Sequence, residues 1–363
     1  MKKVCFFVTS LNSGGIENYL LRFLRHYEAD IDATVYCKGD VFGELESQYR
    51  KLSNVRLIKS KIGYFNFKAY YELYHFLKKE NFHSVCDFTG NFAGFILFIA
   101  YLAKIKTRIV FYRGSSNRYN VTFLRNFYNE LVKIFVLKFA TSILSNSKAA
   151  YDFFFRRIDK RFKVIYNGID SKVFNINESK DQIRNDLGIP SASYVIGHTG
   201  RVHYSKNHEA IIKVANLLCN KYSDIHFVLC GKNTDIELVN SVDIAVKEQV
   251  HLLGYRSDIP RILKAFDIYF FPSVTEGQPN ALIEAMIVGL PIVASDIEPI
   301  KETVPKELIN SLIHPFNVDD FVKQLEENYL SKNCSNSTHH KEWAIEHFNS
   351  DNQFKKFFNE LVE

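Results

Sequence analysis

Short apolar runs alternate along the chain with segments in which apolar residues recur every three or four positions. Residues 4–10 form the first run. The turn-forming Leu11-Asn-Ser-Gly14-Gly15 follows, and then Ile16, Leu20, Phe23, Leu24 and Tyr27 at helical spacing. Runs at 33–37, 84–88, 108–112 and 141–145 predict further strands of the same kind. After Val164 the texture changes: Tyr166-Asn-Gly-Ile-Asp170 is turn chemistry, and residues 175–188 are polar and charged. A second series of strands is predicted at 194–199, 226–230, 251–253, 267–271 and 292–295. Continuous apolar strands separated by helices are the signature of a parallel sheet covered on both faces. The pattern therefore predicts two doubly wound α/β domains, over residues 1–165 and 166–345. The tail, 346–363, carries Phe354, Phe357, Phe358 and Leu361 on one helical face and is expected to pack back toward the first domain. In such sheets ligands bind at the carboxyl ends of the strands, which places the expected site in a cleft between the domains.

Composition narrows the class. The chain has 363 residues, 47% apolar and 24% charged, ordinary globular values that exclude a disordered or collagen-like polymer. Six scattered cysteines (Cys5, Cys37, Cys86, Cys219, Cys230 and Cys334) include no C-x-x-C pair, which argues against a disulfide scaffold or a zinc site and for a reducing compartment. The apolar run after Met1-Lys-Lys is too brief for a signal peptide, and the longest run, 92–103, falls short of the roughly 20 residues of a membrane span. A cytoplasmic protein is expected.

Charge adds a second feature. Residues 1–165 hold 27 Lys and Arg against 13 Asp and Glu, whereas the remainder holds 19 against 27. A basic half joined to an acidic half implies that only the first meets something anionic. Its cations are interleaved with aromatics at 65–79 and 123–139, as in a helix lying on an anionic membrane surface; a core helix with a solvated basic face is the plainer alternative. No helix-turn-helix, zinc-finger or RNP-like pattern is present, so nucleic acid is not an expected partner. Asp30-Ile-Asp32 has the form of a metal-binding pair, but it directly precedes the strand at 33–37 and reads as a solvent-facing strand entry.

The most informative segment starts at Asp267. Residues 267–273 form a strand and its exit, 274–279 a loop, and 280–289 a helix with Pro279 before it and Gly289 at its end. Such a unit aims the backbone N–H groups of Asn280, Ala281 and Leu282, and the positive helix end, at an anion such as phosphate. Glu276 lies in the loop and Glu284 about one turn into the helix. Carboxylates bind phosphate poorly but accept well from vicinal hydroxyls, so the pair suggests a ligand with sugar hydroxyls on both sides of its phosphates. An ordinary helix start with favourable acidic residues is the competing reading.

Glu276-Gly-Gln-Pro-Asn-Ala-Leu-Ile-Glu284, with Ala285-Met and Gly289-Leu-Pro-Ile-Val-Ala-Ser295, resembles the Glu-x7-Glu motif of retaining glycosyltransferases of family 4, which have the GT-B fold of two Rossmann-like doubly wound domains facing across a cleft. Val164-Ile-Tyr-Asn-Gly-Ile-Asp170 with Phe174 resembles the interdomain segment of that family, and Gly200-Arg201 with Lys206-Asn207 its diphosphate-binding pair. Leu253-Gly254-Tyr255 resembles the strand and loop beside the base, and Gly14-Gly15 the first loop of the acceptor domain. The match is strong over about 164–296 and only topological over most of 16–163.

The resemblance implies transfer of a sugar from a nucleoside-diphosphate donor, expected to be a UDP-sugar, to a hydroxyl of a lipid-linked saccharide in bacterial polysaccharide synthesis. The enzyme would work on the cytoplasmic face of the membrane, with neither metal nor cofactor. Arg201 and Lys206 would hold the diphosphate, Glu284 the ribose and Glu276 the donor sugar, making Glu276, Arg201 and Lys206 the catalytic set. The backbone at Asn280, Ala281 and Leu282 would meet the phosphates, Tyr255 would lie beside the base, and Gly14 and Gly15 would let their loop approach the donor. Many members carry a His in the loop after the fourth predicted strand; here that loop reads Phe111-Tyr112-Arg113-Gly114-Ser-Ser, and Arg113 becomes a candidate contact for the acceptor. His198 and His203 bracket Gly200-Arg201. An epimerase acting on a nucleotide sugar, or an inactive nucleotide-binding partner of another transferase, are the alternatives.

Overall fold

The computed structural model describes residues 1–63, 66–113, 123–155, 159–331 and 337–363. The chain divides into two compact units: Met1–Gly168 with Asp351–Glu363, and Ile169–Ser350.

Unit 1 is built on a seven-stranded sheet of β1 (Lys2–Val8), β2 (Ile31–Cys37), β3 (Val55–Lys59), β4 (Ser84–Asp87), β5 (Thr107–Tyr112), β6 (Ser142–Ser145) and β7 (Phe162–Val164). The order is β3-β2-β1-β4-β5-β6-β7, every pair parallel. The period-2 alternation of a strand puts Val4, Phe6 and Val8 of β1 into one core cluster and Cys5 and Phe7 into another on the opposite face. Helix Gly15–His26 covers the first face through Tyr19, Leu20, Phe23 and Leu24. Helices Phe67–Glu80, Gly94–Leu102 and Phe123–Phe139 cover the second. The terminal helix Ser350–Val362 inserts Phe354, Phe357 and Leu361 into the first cluster. Its Glu360 accepts from Ser142 Oγ at 2.9 Å and pairs with Lys163 at 2.5 Å.

The outer strands β3 and β7 are absent from the sequence expectation. Each lies at a sheet edge and carries solvent-facing cations, Arg56 and Lys59 in one and Lys163 in the other, so neither shows the apolar run that marks a central strand.

Unit 2 holds a five-stranded parallel sheet of β8 (Tyr194–Thr199), β9 (Ile225–Cys230), β10 (Val250–Leu252), β11 (Ile268–Phe271) and β12 (Ile292–Ala294), in the order β10-β9-β8-β11-β12. The chain leaves β8 toward β9 on one side, and β11 lies on the other. The carboxyl ends of β8 and β11 therefore flank the point where strand order reverses, the place at which open α/β sheets bind ligands. Among the described residues no helix is long and apolar enough to cross a membrane, and the five described cysteines are buried and free.

Candidate functional site

Two loops meet at that point in unit 2: residues 200–207 after β8 and residues 272–279 after β11. They are tied together by the backbone, Val274 N donating to Ser205 O at 2.9 Å. Asn207 strengthens the junction. It sits in the left-handed region at φ 56°, heads helix His208–Lys221, and donates from Nδ2 to Pro272 O (3.1 Å) and Pro315 O (2.7 Å). These constraints hold Lys206 against Glu276, Nζ to Oε1 at 2.6 Å, with both side chains more than four-fifths buried. The ammonium also lies 4.9 Å from the Phe271 ring centroid. Glu284 stands on helix Asn280–Val288, and both carboxylates act on the deeply buried Tyr269. Burial is the main cause that pushes the Tyr269 phenol up, and its hydroxyl is held by Thr199 Oγ1 at 2.7 Å. Arg201 is exposed and pairs with no carboxylate among the described residues, and Tyr255 projects outward at 74% exposure beyond Gly254.

At the helix start the chain's own turn reaches the first N–H groups. Asn280 N donates to Gln278 O at 3.0 Å and Leu282 N to Pro279 O at 3.1 Å. The carbonyls of the Gln278-Pro279 turn fold back over the first helical turn and occupy two of the three N–H groups expected to face an anion. Of the three, only Ala281 N–H has no backbone acceptor among the described residues.

Sequence reasoning passed over Gly231. It follows β9, and a Cβ there would stand 2.1 Å from Gly200 O and 2.8 Å from Arg201 N. A side chain at 231 would displace the backbone that carries Arg201. The available signal was positional: Gly200, Gly231 and Gly254 each follow a strand of the same sheet within two residues. His198, by contrast, is a packing residue behind the site. It is 1% exposed, its Nδ1 lies 3.0 Å from Phe270 O, and burial holds it well below the ordinary imidazole range. His203 caps the turn at 204–206, with Nδ1 2.9 Å from Ser205 Oγ.

The remaining candidates belong to unit 1. Gly14, in extended conformation, precedes helix Gly15–His26; a Cβ on it would meet the movable end of the Glu17 side chain, and one on Gly15 would meet nothing within 4 Å among the described residues. Packing among the described residues thus does not demand glycine at either position. Arg113 follows β5 and stacks on the Tyr19 ring at 3.8 Å and toward Phe111 at 5.0 Å. Its Nε and Nη1 are buried with no hydrogen-bond partner among the described residues, and burial pushes the guanidinium down to about 10, so it stays cationic at neutral pH. The segment after it, 114–122, lies outside the described residues. Asp30 and Asp32 are both exposed, and no group of three or more His, Cys, Asp or Glu side chains able to hold a metal ion occurs among the described residues.

Residues 13–173 match the model of Glycosyltransferase Family 4, and residues 179–342 match that of glycosyl transferases group 1. The chain belongs to the family 4 glycosyltransferases. This family 4 enzyme is 34% identical over 195 residues to UDP-Gal:alpha-D-GlcNAc-diphosphoundecaprenol alpha-1,3-galactosyltransferase of Escherichia coli, a match that covers 48% of this chain and 49% of that one. The chain thus spans about half the length of that relative. It is 26% identical over 309 residues to the putative glycosyltransferase EpsF of Bacillus subtilis, covering 81% and 79% of the two chains. Among solved structures, Anabaena Alr3699/HepE in complex with UDP superposes with a TM-score of 0.84 at 18% identity, covering 99% of both chains. The apo lipopolysaccharide outer core galactosyltransferase WaaB gives 0.72 at 17% identity, also over 99% of both. At such identities the likeness establishes the fold: two Rossmann-like parallel-sheet units of the GT-B class.

Proposed function

We propose that this glycosyltransferase moves a sugar, with retention, from a UDP-sugar to a hydroxyl of a lipid-linked saccharide in bacterial polysaccharide synthesis. The observation that carries the reading is the Lys206–Glu276 contact at the switch point of unit 2, with Glu284 one turn beyond and Arg201 in the loop beside it. In this reading the diphosphate lies on Arg201 and Lys206, near the Ala281 N–H and the positive end of helix Asn280–Val288. Glu284 accepts from the ribose hydroxyls, Glu276 from those of the donor sugar, and Tyr255 lies beside the base. As the bond from the anomeric carbon to the diphosphate oxygen breaks, the two cations compensate the charge that grows on the leaving group. The acceptor oxygen bonds to the anomeric carbon on the same face, and its proton passes to the departing phosphate oxygen. No metal or cofactor takes part. The names of relatives that act on diphosphoundecaprenol-linked sugars, and the UDP bound to HepE, support this choice of donor and acceptor.

The experiment is melting of the purified chain with UDP, GDP, ADP and their sugars, followed by transfer assays with the best donor. A nucleotide at 100 times its dissociation constant adds about 2.7 kcal/mol. UDP is expected to raise the midpoint; Arg201→Ala removes the rise, and Glu276→Gln keeps it while transfer falls at least about tenfold, one charge-assisted contact. No response to any nucleotide, or undiminished transfer by both variants, overturns the assignment. Product analysis separates transfer from epimerisation, which consumes no acceptor.

We further propose a peripheral position at the inner face of the cell membrane. It is supported by the basic excess of residues 1–165 and by the exposed Phe67, Tyr71, Tyr101, Phe127 and Ile134 on the helices of one face of unit 1. The chain is expected to float with anionic vesicles at low salt and to be released as salt screens the attraction. Absence of flotation with such vesicles removes the membrane proposal and leaves the transfer reaction intact.

A further inference from the structure

In the unit 2 sheet the ladder between β8 and β11 stops early. Its register comprises Ile268↔Ile196 and Tyr269↔Gly197, although β8 continues beside β9 to Thr199↔Cys230 and β11 beside β12 to Phe271↔Ala294. One further step of this parallel ladder would have Thr199 N donate to Phe270 O. Each of those groups is taken by a side chain instead. Thr199 N donates to the Tyr269 hydroxyl at 3.2 Å, and Phe270 O lies 3.0 Å from His198 Nδ1. A carbonyl oxygen only accepts, so Nδ1 carries the proton of the neutral imidazole. The two strands thus exchange side-chain bonds where a backbone bond would have drawn them together.

The Tyr269 hydroxyl does more than replace that bond. It lies 2.7 Å from Thr199 Oγ1 and 3.3 Å from Thr199 O. A phenol hydroxyl accepts through its lone pairs and donates once; Thr199 offers two donors and a carbonyl, so the two residues satisfy each other. Both are buried, and removing one partner therefore strands polar groups of the other away from water. Thr199 ends β8 and is followed by Gly200 and Arg201. On the β9 side this stretch is tied by Gly200 N to Cys230 O at 2.8 Å and Val202 N to Lys232 O at 3.0 Å. On the β11 side Tyr269 holds its start. Where the ladder ends, the loop with Arg201 and Lys206 leaves from one strand and the loop with Glu276 from the other. Without the hydroxyl, Thr199 N–H regains a partner by completing the ladder with Phe270 O, which pulls the start of the 200–207 loop toward β11.

We infer that Tyr269 is a positioning residue for the donor diphosphate: its hydroxyl, bonded to all three polar atoms of Thr199, holds β8 apart from β11 and so sets where Arg201 stands. The inference rests on the proposed placement of the diphosphate on Arg201. Tyr269→Phe keeps the ring and removes only the hydroxyl. Calorimetric titration of the full chain with UDP, beside saturation-transfer NMR with uridine, separates phosphate contacts from those to base and ribose. Tyr269→Phe should weaken UDP about tenfold, the order of one misplaced charge-assisted contact, and leave uridine binding unchanged. Thr199→Val removes Oγ1 but keeps a branched side chain, and it should weaken UDP in the same direction. The double variant should bind UDP no more weakly than Tyr269→Phe alone, because both changes act through one contact. If either single variant fails to fold, the other carries the test through its UDP and uridine affinities. A residue that only fills the core would lower the melting temperature and leave the ratio of UDP to uridine affinity as in the wild type; that result overturns the inference. Additive losses in the double variant overturn the route through Thr199. A wild type that binds no UDP overturns the donor reading itself, whereas UDP binding indifferent to both variants overturns this inference alone.

Discussion

Gly231 illustrates how much of this site is set by backbone rather than by charged side chains. Arg201 and Lys206 supply the cations, yet the position of Arg201 depends on Gly200, whose carbonyl leaves no room for a Cβ at residue 231. Gly231→Ala must therefore push the 200–201 backbone aside, and the expected result is UDP binding weakened about tenfold or more, the order of one misplaced charge-assisted contact. The comparison is Gly188→Ala, also in unit 2, where a Cβ meets nothing within 4 Å among the described residues, but the φ of 69° penalises alanine. That variant should lower the melting temperature while leaving the UDP-induced rise unchanged. Equal UDP responses from the two variants would remove Gly231 from the site. At this scale the sequence singles out candidates where chemistry repeats at a fixed spacing, as in Glu276 and Glu284. It was opaque at Gly231, because that residue's neighbour lies on the adjoining strand and is fixed only by register. The turn bonds made by the Asn280 and Leu282 N–H groups were hidden for a related reason: whether a turn carbonyl reaches them depends on turn geometry, which residue types alone do not specify.

Elements were legible in proportion to their burial. The central strands β1, β8, β9 and β11 are buried on both faces and appear as unbroken apolar runs, whereas β3 and β7 at the edges of the unit 1 sheet are short, carry the exposed cations Arg56, Lys59 and Lys163, and vanish into the background. The terminal helix was visible for the opposite reason, an apolar face in a polar tail that requires a covering surface. That surface is an aromatic cluster in which the Phe357 ring lies 4.6 Å from Phe23, 5.2 Å from Phe111 and 6.1 Å from Phe88. Phe357 is fully buried, so Phe357→Ala removes a whole ring from a packed core and should cost about 3–5 kcal/mol. Urea denaturation followed by far-UV circular dichroism reads this as a lower midpoint for unit 1. A cost below about 1 kcal/mol would mean that the helix adds little to the unit it covers.

The two units also differ in how they respond to acid, which no single residue or element reveals. Histidines held below the ordinary imidazole range by burial, His198, His208, His226, His251 and His340, all belong to unit 2, with His208 and His251 brought down to about 4. Each takes up a proton near pH 6.5 once unfolded but resists it while folded, so below 6.5 the unfolded state binds more protons and stability falls with pH toward 4. For His208 alone, 5% exposed, the full effect is about 3 kcal/mol at 1.36 kcal/mol per unit. Unit 1 has the reverse arrangement. Its Glu80 is held at about 2 by hydrogen bonds from Arg56 and Lys3, so that contribution persists until the pH drops below the ordinary carboxylate value of 4.5. Between pH 6.5 and 4.5 unit 2 should therefore weaken while unit 1 is nearly unaffected, and calorimetry at pH 7.5, 6 and 5 is expected to resolve a transition that moves down with acid from one that does not. UDP should raise only the moving transition. His208→Gln, by removing one of the resisting imidazoles, should flatten its slope between pH 6 and 5. A single transition whose midpoint is the same at all three values would show that these imidazoles gain their protons as readily folded as unfolded, and that burial in unit 2 does not set its acid limit.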